Sequence, residues 1–262
     1  MSEKKSYKFI YGPVSSWRLG VSLGIDPVYT GMGKVCSFDC IYCQAGKTRH
    51  HIRRRKRFVE TRDIIREMES LPSLHADYVT LSGAGEPTLA LNLGEIISWL
   101  REKRGEKIAV LTNSTLFQDA SLRKDLLKAD LVVAKLDAAS EAVFKKVNVP
   151  VRGVTLKKVI AGIKKFKKNF RGKLALQVMF LKENAHEARA IANIAREIKP
   201  DIVQINTPTR PSRSMALPPA MLKKIEKEFK GLKTVNVYEA EKKKVTKKIK
   251  SNLMKRRGKP NA

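Results

Sequence analysis

Short apolar runs rich in β-branched residues alternate with helix-period segments through most of this chain. That alternation restricts the fold more than any other feature. Strands are expected over residues 33–36, at Tyr78-Val79-Thr80-Leu81, at Ile108-Ala109-Val110-Leu111, at Leu131-Val132-Val133-Ala134, over 174–181 and at Asp201-Ile202-Val203-Gln204-Ile205. A helix from about Thr61 carries Ile64, Ile65, Met68 and Leu71 on one face. Asn92 with Glu95 resembles a capping box before Ile96, Ile97 and Leu100. Residues 122–127 form the next helix, and Thr155 opens a longer one with Leu156, Val159, Ile160, Ile163 and Phe166. Asn184 and Glu187 are expected to cap a helix bearing Ile191, Ile194 and Ile198.

Strands separated by helices imply right-handed βαβ units and a parallel sheet. Six units are too few for a closed eightfold barrel of about 250 residues. The expectation is an α/β fold, an incomplete (β/α)6 barrel over residues 1–211. After Pro211 the pattern weakens. Residues 212–262 are expected to form a basic C-terminal extension with one helix (Leu222, Ile225, Phe229) and a short strand over 234–238. From Glu239 onward the chain holds ten Lys or Arg against two Glu, which reads as a basic helix or a disordered tail.

The only cysteines are Cys36, Cys40 and Cys43, spaced C-x3-C-x2-C. Three thiols in one tight cluster cannot make a disulfide framework, so a reducing, cytoplasmic setting is expected. No apolar run reaches the roughly 18 residues of a membrane span, and Met1-Ser2-Glu3-Lys4-Lys5 leads into no apolar segment. Thiolates are soft ligands for iron–sulfur clusters or zinc. Three of them can hold three corners of a four-iron cubane and leave one iron open to a non-protein ligand. A cubane ligated wholly by protein uses four. The alternative is structural zinc completed by His50 or His51, although such sites usually pair C-x2-C units. The residues alone leave both open.

Polar groups interrupt the apolar pattern after each expected strand. These are the cysteine loop, then Ser82-Gly83-Ala84-Gly85-Glu86-Pro87, Thr112-Asn113-Ser114, Lys135-Leu136-Asp137, Gln177 with Met179, and Asn206-Thr207-Pro208. In βα folds this edge collects functional groups. At these residues the chain resembles the radical S-adenosylmethionine (SAM) superfamily. The cysteine loop with Tyr42 as its aromatic is similar to that superfamily's signature, and Gly83-Ala84-Gly85-Glu86-Pro87 to its glycine-rich segment. Residues 11–20, residues 82–89 and Asn148-Val149-Pro150 resemble a branch related to the wyosine-base synthases of tRNA. The resemblance covers residues 11–211 and does not fix a substrate.

The resemblance implies a radical SAM-type barrel with a [4Fe–4S] cluster on Cys36, Cys40 and Cys43. SAM would chelate the open iron, and one electron would cleave it to a 5′-deoxyadenosyl radical that abstracts hydrogen from substrate. The cofactors carry that chemistry and the protein orients them. A one-electron donor such as ferredoxin or flavodoxin is implied as a partner. Tyr42 would pack near the adenine or serve as a core aromatic. Gly83 and Gly85 would let backbone approach the ligand, with Glu86 near the methionine ammonium. Asn113 would meet the carboxylate or ribose of SAM, or cap a helix. Asp137 would bind ribose hydroxyls unless Lys135, where the resemblance favours a small residue, competes for it. Gln177 would point into the barrel or into a buried network.

Charge bears on the substrate. Lys and Arg number 54 against 25 Asp and Glu, a formal net charge of +29. A polyanionic partner is expected, most simply RNA such as tRNA, met through a basic surface. Arg49, Arg53, Arg54, Arg55, Lys56 and Arg57 follow the cysteine loop and could clamp phosphates there. The lysines between 157 and 168 read as a solvated helix face, and His75 and His186 as surface residues. Aromatic residues make up 6%, too few for a broad stacking platform. Three hypotheses follow: radical chemistry on RNA, radical modification or activation of a protein or small metabolite, and a zinc-stapled RNA-binding protein without catalysis.

Overall fold

The structure, a computed structural model, describes residues 6–251. Its elements in chain order are β1 (Ile10–Ser16), β2 (Gly20–Ile25), β3 (Lys34–Cys36), β4 (Thr48–His51), α1 (Thr61–Glu69), β5 (Tyr78–Leu81), α2 (Leu93–Lys103) and β6 (Lys107–Thr112). There follow α3 (Ala120–Leu126), β7 (Leu131–Lys135), α4 (Glu141–Asn148), α5 (Leu156–Asn169), β8 (Lys173–Met179), α6 (Ala188–Ile198), β9 (Ile202–Asn206), α7 (Pro219–Lys227) and β10 (Thr234–Asn236).

One eight-stranded sheet runs β1-β2-β5-β6-β7-β8-β9-β10. β1 and β2 form an antiparallel hairpin, and every later neighbour is parallel. Each crossover therefore moves one place in the same direction, and the sheet curls into a half-barrel. The two faces differ. Ile108, Val110, Val132, Ala134, Leu174 and Leu176 pack into the main core with the helices. Ala109, Leu131, Val133 and Ala175 point the other way and cluster with Leu19, with no helical residue among them. That second face is the concave interior.

The six βα units hold, but the first strand is β2. Residues 34–36 lie outside the main sheet and pair with β4 in a separate parallel ladder. The hairpin and α4 were not expected. Thr155 caps α5 as expected, accepting from Lys158 N–H. The other two caps do not form. Asn92 donates instead to Val59 O and Thr61 Oγ1, and Glu95 pairs with Arg57. Asn184 accepts from Leu181 N–H, and Glu187 accepts from Ala139 N–H at the start of α4. Asn92, Glu95 and Glu187 take tertiary partners instead, and Asn184 turns back to Leu181 while donating to Asp137 O.

The boundary expected at 211 falls inside one packing unit. Leu222, Ile225, Phe229 and Val237 join the main core, and β10 extends the sheet beside β9. The expected strand to Tyr238 ends at Asn236. The basic tail makes no helix over residues 239–251. It runs as an extended strap, with Ile249 N–H donating to Gly12 O at 2.9 Å and Tyr7 N–H to Lys250 O at 3.2 Å. Residues 252–262, also part of the expected tail, lie outside the described residues. No helix among the described residues is long and apolar enough to cross a membrane.

Candidate active site at the cysteine loop

The loop from Cys36 to Cys43 leaves β3 and is held by backbone bonds from both sides. Asp39 N–H donates to Asn148 O (3.1 Å) and Val149 O (3.0 Å), and Ile41 N–H to Val147 O (3.0 Å). Val151 N–H donates to Ser37 O and Glu86 N–H to Val35 O, each at 2.9 Å. Val149 makes the cradle possible. It ends α4 at φ 44°, a left-handed turn that costs a β-branched residue about 1–3 kcal/mol. The Asn148-Val149-Pro150 motif is thus the seat of the cysteine loop.

Cys36 and Cys40 are buried and Cys43 is half-buried. Three N–H groups aim at two of the sulfurs. Phe38 N (3.4 Å) and Asn113 Nδ2 (3.6 Å) reach Cys36 Sγ, and Asn148 Nδ2 (3.5 Å) reaches Cys40 Sγ. Burial pushes the Cys36 thiol far up and the Cys40 thiol up to about 11. As bare thiols both keep their protons at neutral pH, so a metal must displace those protons to bind.

The glycine-rich segment plays another part than expected. A Cβ on Gly85 would lie 2.0 Å from Val35 O, and one on Gly83 2.2 Å from the Asp26 carboxyl carbon. These glycines are required by the protein's own packing against β3 and the residue after β2. Glu86 is also turned inward. One oxygen accepts from Thr88 N–H, Thr88 Oγ1 and Thr112 Oγ1, and the other from Asn113 N–H at 2.6 Å. Burial pushes its carboxyl up and those donors pull it back, with the balance above the ordinary range. The carboxylate is 2% exposed and takes four hydrogen bonds from the protein itself.

Asn113 donates to Ser37 Oγ at 2.8 Å and accepts from Thr115 N–H and Oγ1, so it braces the loop from β6. Asp137 accepts from the Tyr42 hydroxyl, from Asn148 Nδ2 (2.7 Å) and from Met179 N–H (2.8 Å). Burial, then the Asp137 carboxylate, keep the Tyr42 phenol protonated far above the ordinary phenol range. The Tyr42 ring is buried with its hydroxyl tied to Asp137. Lys135 does compete for Asp137, with Nζ 3.0 Å from Oδ1 and 4.8 Å from the Tyr42 ring centre. Its approach is misaligned for a hydrogen bond, so Nζ is buried without a hydrogen-bond partner. Beside it lies a cavity of about 10 Å³ lined by Lys135, Asp137, Asn113 and Asn148. That is room for one water and far too small for SAM. Gln177 sits in register with Lys135 and Gln204 across three strands and donates to Gln204 Oε1 at 3.2 Å.

Neither histidine behaves as a zinc ligand: His50 is exposed, and the His51 ring nitrogen is 3.0 Å from Ser37 O. Among the described residues no three Cys, His, Asp or Glu side chains converge as a single ion requires. A cubane makes no such demand, since each thiolate binds a different iron. The arginine run is divided. Arg55 is buried on Asp125 (2.7 Å) and Ala90 O, and Arg57 pairs with Glu95 (3.0 Å). Arg49, Arg53, Arg54 and Lys56 stay exposed. Two site residues escaped the sequence reading. Lys34 is a buried lysine in the short strand before Cys36, and Arg213 reaches from 174 residues away to Asp39 O and Cys40 O, each at 3.1 Å. A lysine inside an apolar strand was a visible signal, whereas Arg213 carried none.

Residues 31–195 match the Radical SAM superfamily. A UPF0026 protein of Synechocystis sp. is 42% identical over 208 residues, covering 79% of this chain and 77% of its own. A UPF0026 protein of Methanocaldococcus jannaschii is 34% identical over 224 residues, covering 83% and 68%. Among solved structures, Streptococcus suis SuiB bound to SAM superposes with a TM-score of 0.60 at 16% identity, over 77% of this chain. The matched part is 48% of SuiB, so this chain spans about half that protein. TYW1 with a bound lysine–pyruvate adduct gives 0.61 at 13% identity, covering 79% and 72%. These two likenesses show the fold. The chain belongs to the radical SAM superfamily and, within it, to the UPF0026 family. Radical SAM enzymes use a [4Fe–4S] cluster and SAM, and this chain is an enzyme of that kind. Three thiols on one loop, two of them met by N–H donors, fit the cluster by the chemistry of the donor set.

Proposed function

We propose that this chain cleaves SAM at a cluster held by Cys36, Cys40 and Cys43 and directs the resulting radical at a tRNA base. The observation that carries the first part is the thiol loop set among buried amide donors at the C-terminal edge of the half-barrel. When bound, the cluster supplies the single electron that breaks the sulfonium C–S bond of SAM, giving the 5′-deoxyadenosyl radical. The chain's own residues prepare the place. Asn113 and Asn148 donate toward the sulfurs, while Glu86 and Asp137, the latter also holding Tyr42, keep the two asparagines in position. Lys135 and Gln177, on neighbouring strands of the concave face, offer SAM a cation and an amide.

The tRNA reading rests on the charge of +29 and on the exposed Arg49, Arg53 and Arg54 beside the loop. The Arg53 guanidinium lies over Gly153, just past the segment that seats the cysteines. Anaerobically reconstituted protein should hold one four-iron cluster and release 5′-deoxyadenosine when reduced with dithionite. Stoichiometric zinc without iron–sulfur absorption overturns the first part. For the second, replacing Arg49, Arg53 and Arg54 with Ser should lower both tRNA binding and a deletion-sensitive tRNA nucleoside. A peptide substrate is the second reading, favoured by SuiB, which binds the precursor peptide SuiA. Identical tRNA nucleosides in parent and deletion strains would select it. A one-electron donor of the ferredoxin or flavodoxin class and a cytoplasmic setting belong to either version.

A further inference from the structure

Lys34 is a buried cation at the root of the cysteine loop. Its side chain is 4% exposed. Nζ donates to Gly46 O at 3.2 Å, which closes the turn after Cys43, and lies 3.9 Å from Asp39 Oδ1. Gly46 N–H in turn donates to Cys43 O at 3.2 Å, and Asp39 lies between Cys36 and Cys40, so the ammonium is fastened to both ends of the loop. So one lysine spans the loop that carries all three thiols. On the far side Asp39 is engaged by Arg213 at 3.1 Å, so its negative charge is shared between two cations. Lys34 is thus a buried cation on the cysteine side of Asp39, opposite the carboxyls Glu86 and Asp137, which reach Cys36 and Cys40 through Asn113 and Asn148.

A cluster on three thiolates gains one negative charge when it takes up an electron from a one-electron donor. Nothing else changes in that step: one electron enters and no bond forms or breaks. A fixed cation in a poorly solvated place stabilises the more negative, reduced form. We propose that Lys34 raises the reduction potential of the cluster on Cys36, Cys40 and Cys43, and so sets which donors can deliver the electron. Lys34 is a positioning and electrostatic residue and not a ligand. The inference rests on the cluster assignment made above.

The test is a potentiometric titration of reconstituted protein followed by electron paramagnetic resonance, with iron and sulfide measured on every sample. At the potential where the parent is half reduced, Lys34→Met should show a reduced-to-oxidised ratio at least tenfold lower. That corresponds to a midpoint at least about 59 mV more negative for one electron. Lys34→Arg should stay within about threefold of the parent. Full iron content in Lys34→Met with an unchanged ratio overturns the proposal. Lys34→Gln keeps a donor for Gly46 O without the charge and guards against a failed loop. If Met and Gln variants both lose the cluster while Arg loads it, Lys34 is an assembly contact and the proposal fails. If the parent itself takes up no four-iron cluster, the ligand assignment fails first and takes this inference with it.

Discussion

Residues 36–43 and residues 49–57 are neighbours in the chain, and both are dense in groups that usually meet ligand or solvent. The structure uses them in opposite ways. In the cysteine loop every side chain around the thiols is committed to building one place, and the seat is supplied by residues 147–151. In the arginine run the commitments are split. Arg55 and Arg57 tie the run to Asp125 and Glu95, while Arg49, Arg53 and Arg54 face outward. Spacing encodes the first region, because ligands must sit at fixed separations. Only composition marks the second, and composition does not say which charge is spent inside.

The sharpest break in that comparison is at the ligands. Cys36→Ser, Cys40→Ser and Cys43→Ser should each reduce 5′-deoxyadenosine formation to background, measured by chromatography after dithionite reduction. A variant that keeps the parent rate contradicts the ligand assignment. Next comes Gly85→Ala. Its Cβ would press on Val35 O at 2.0 Å, a backbone atom that cannot swing aside. We expect a loss of about 2–3 kcal/mol in unfolding free energy together with lower iron content, since β3 leads straight into Cys36. Parent-like stability with SAM affinity alone reduced would give this glycine the ligand-approach role instead.

Legibility followed the range of the interactions. The strands at 108–111 and 131–134 were readable because their apolar runs are unbroken, and Thr80 alone interrupts the one at 78–81. The β1–β2 hairpin was not, because Gly12, Pro13, Ser15, Ser16 and Ser22 interrupt its pattern. Ser140 accepts from Val143 N–H and marks the start of α4, yet this eight-residue helix is too short for periodicity to stand out. The three thiols proposed as ligands were readable from spacing. Their frame was not, since Asn113 meets Cys36 across 77 positions and Asn148 meets Cys40 across 108. The residues proposed from the resemblance follow the C-terminal ends of their strands or lie late within them. Glu86, Asp137 and Asn113 nonetheless turned out to face the protein, because burial demands that each oxygen and amide be satisfied.

The arginine run offers a middle-sized test. Arg55→Ser leaves Asp125 without its partner in a largely buried place, and should cost about 3 kcal/mol in thermal or urea unfolding. Arg53→Ser should change stability by less than about 0.5 kcal/mol. In polyanion binding at low salt the order should reverse, with Arg53→Ser the weaker binder once Arg55→Ser is compared below its melting point. Equal stability losses at the two positions would erase the division drawn between inward and outward arginines.

The smallest expected effect lies at the opposite edge of the sheet, where Lys243 of the basic tail meets Asp77. Lys243 Nζ is 2.8 Å from Asp77 Oδ1, and Val21 N–H donates to Asp77 Oδ2 at 2.7 Å. First the Lys243 ammonium and then that N–H hold the Asp77 carboxyl below its ordinary value of 3.8. A carboxyl lowered on folding contributes stability that is present above pH 3.8 and is lost as pH falls from there through the folded value. Lys243 is 61% exposed, so solvent screens the pair and its worth is about 0.5 kcal/mol. Lys243→Met should therefore melt about 1–2 °C below the parent at pH 6. The gap should close as the pH is taken below 3.8, because protonated Asp77 no longer distinguishes lysine from methionine. A gap that persists undiminished at pH 2 would mean that the strap is held by Ile249, buried in the core with its N–H on Gly12 O, and that the charge of Lys243 adds as little to folding as those of Arg53 and Arg54.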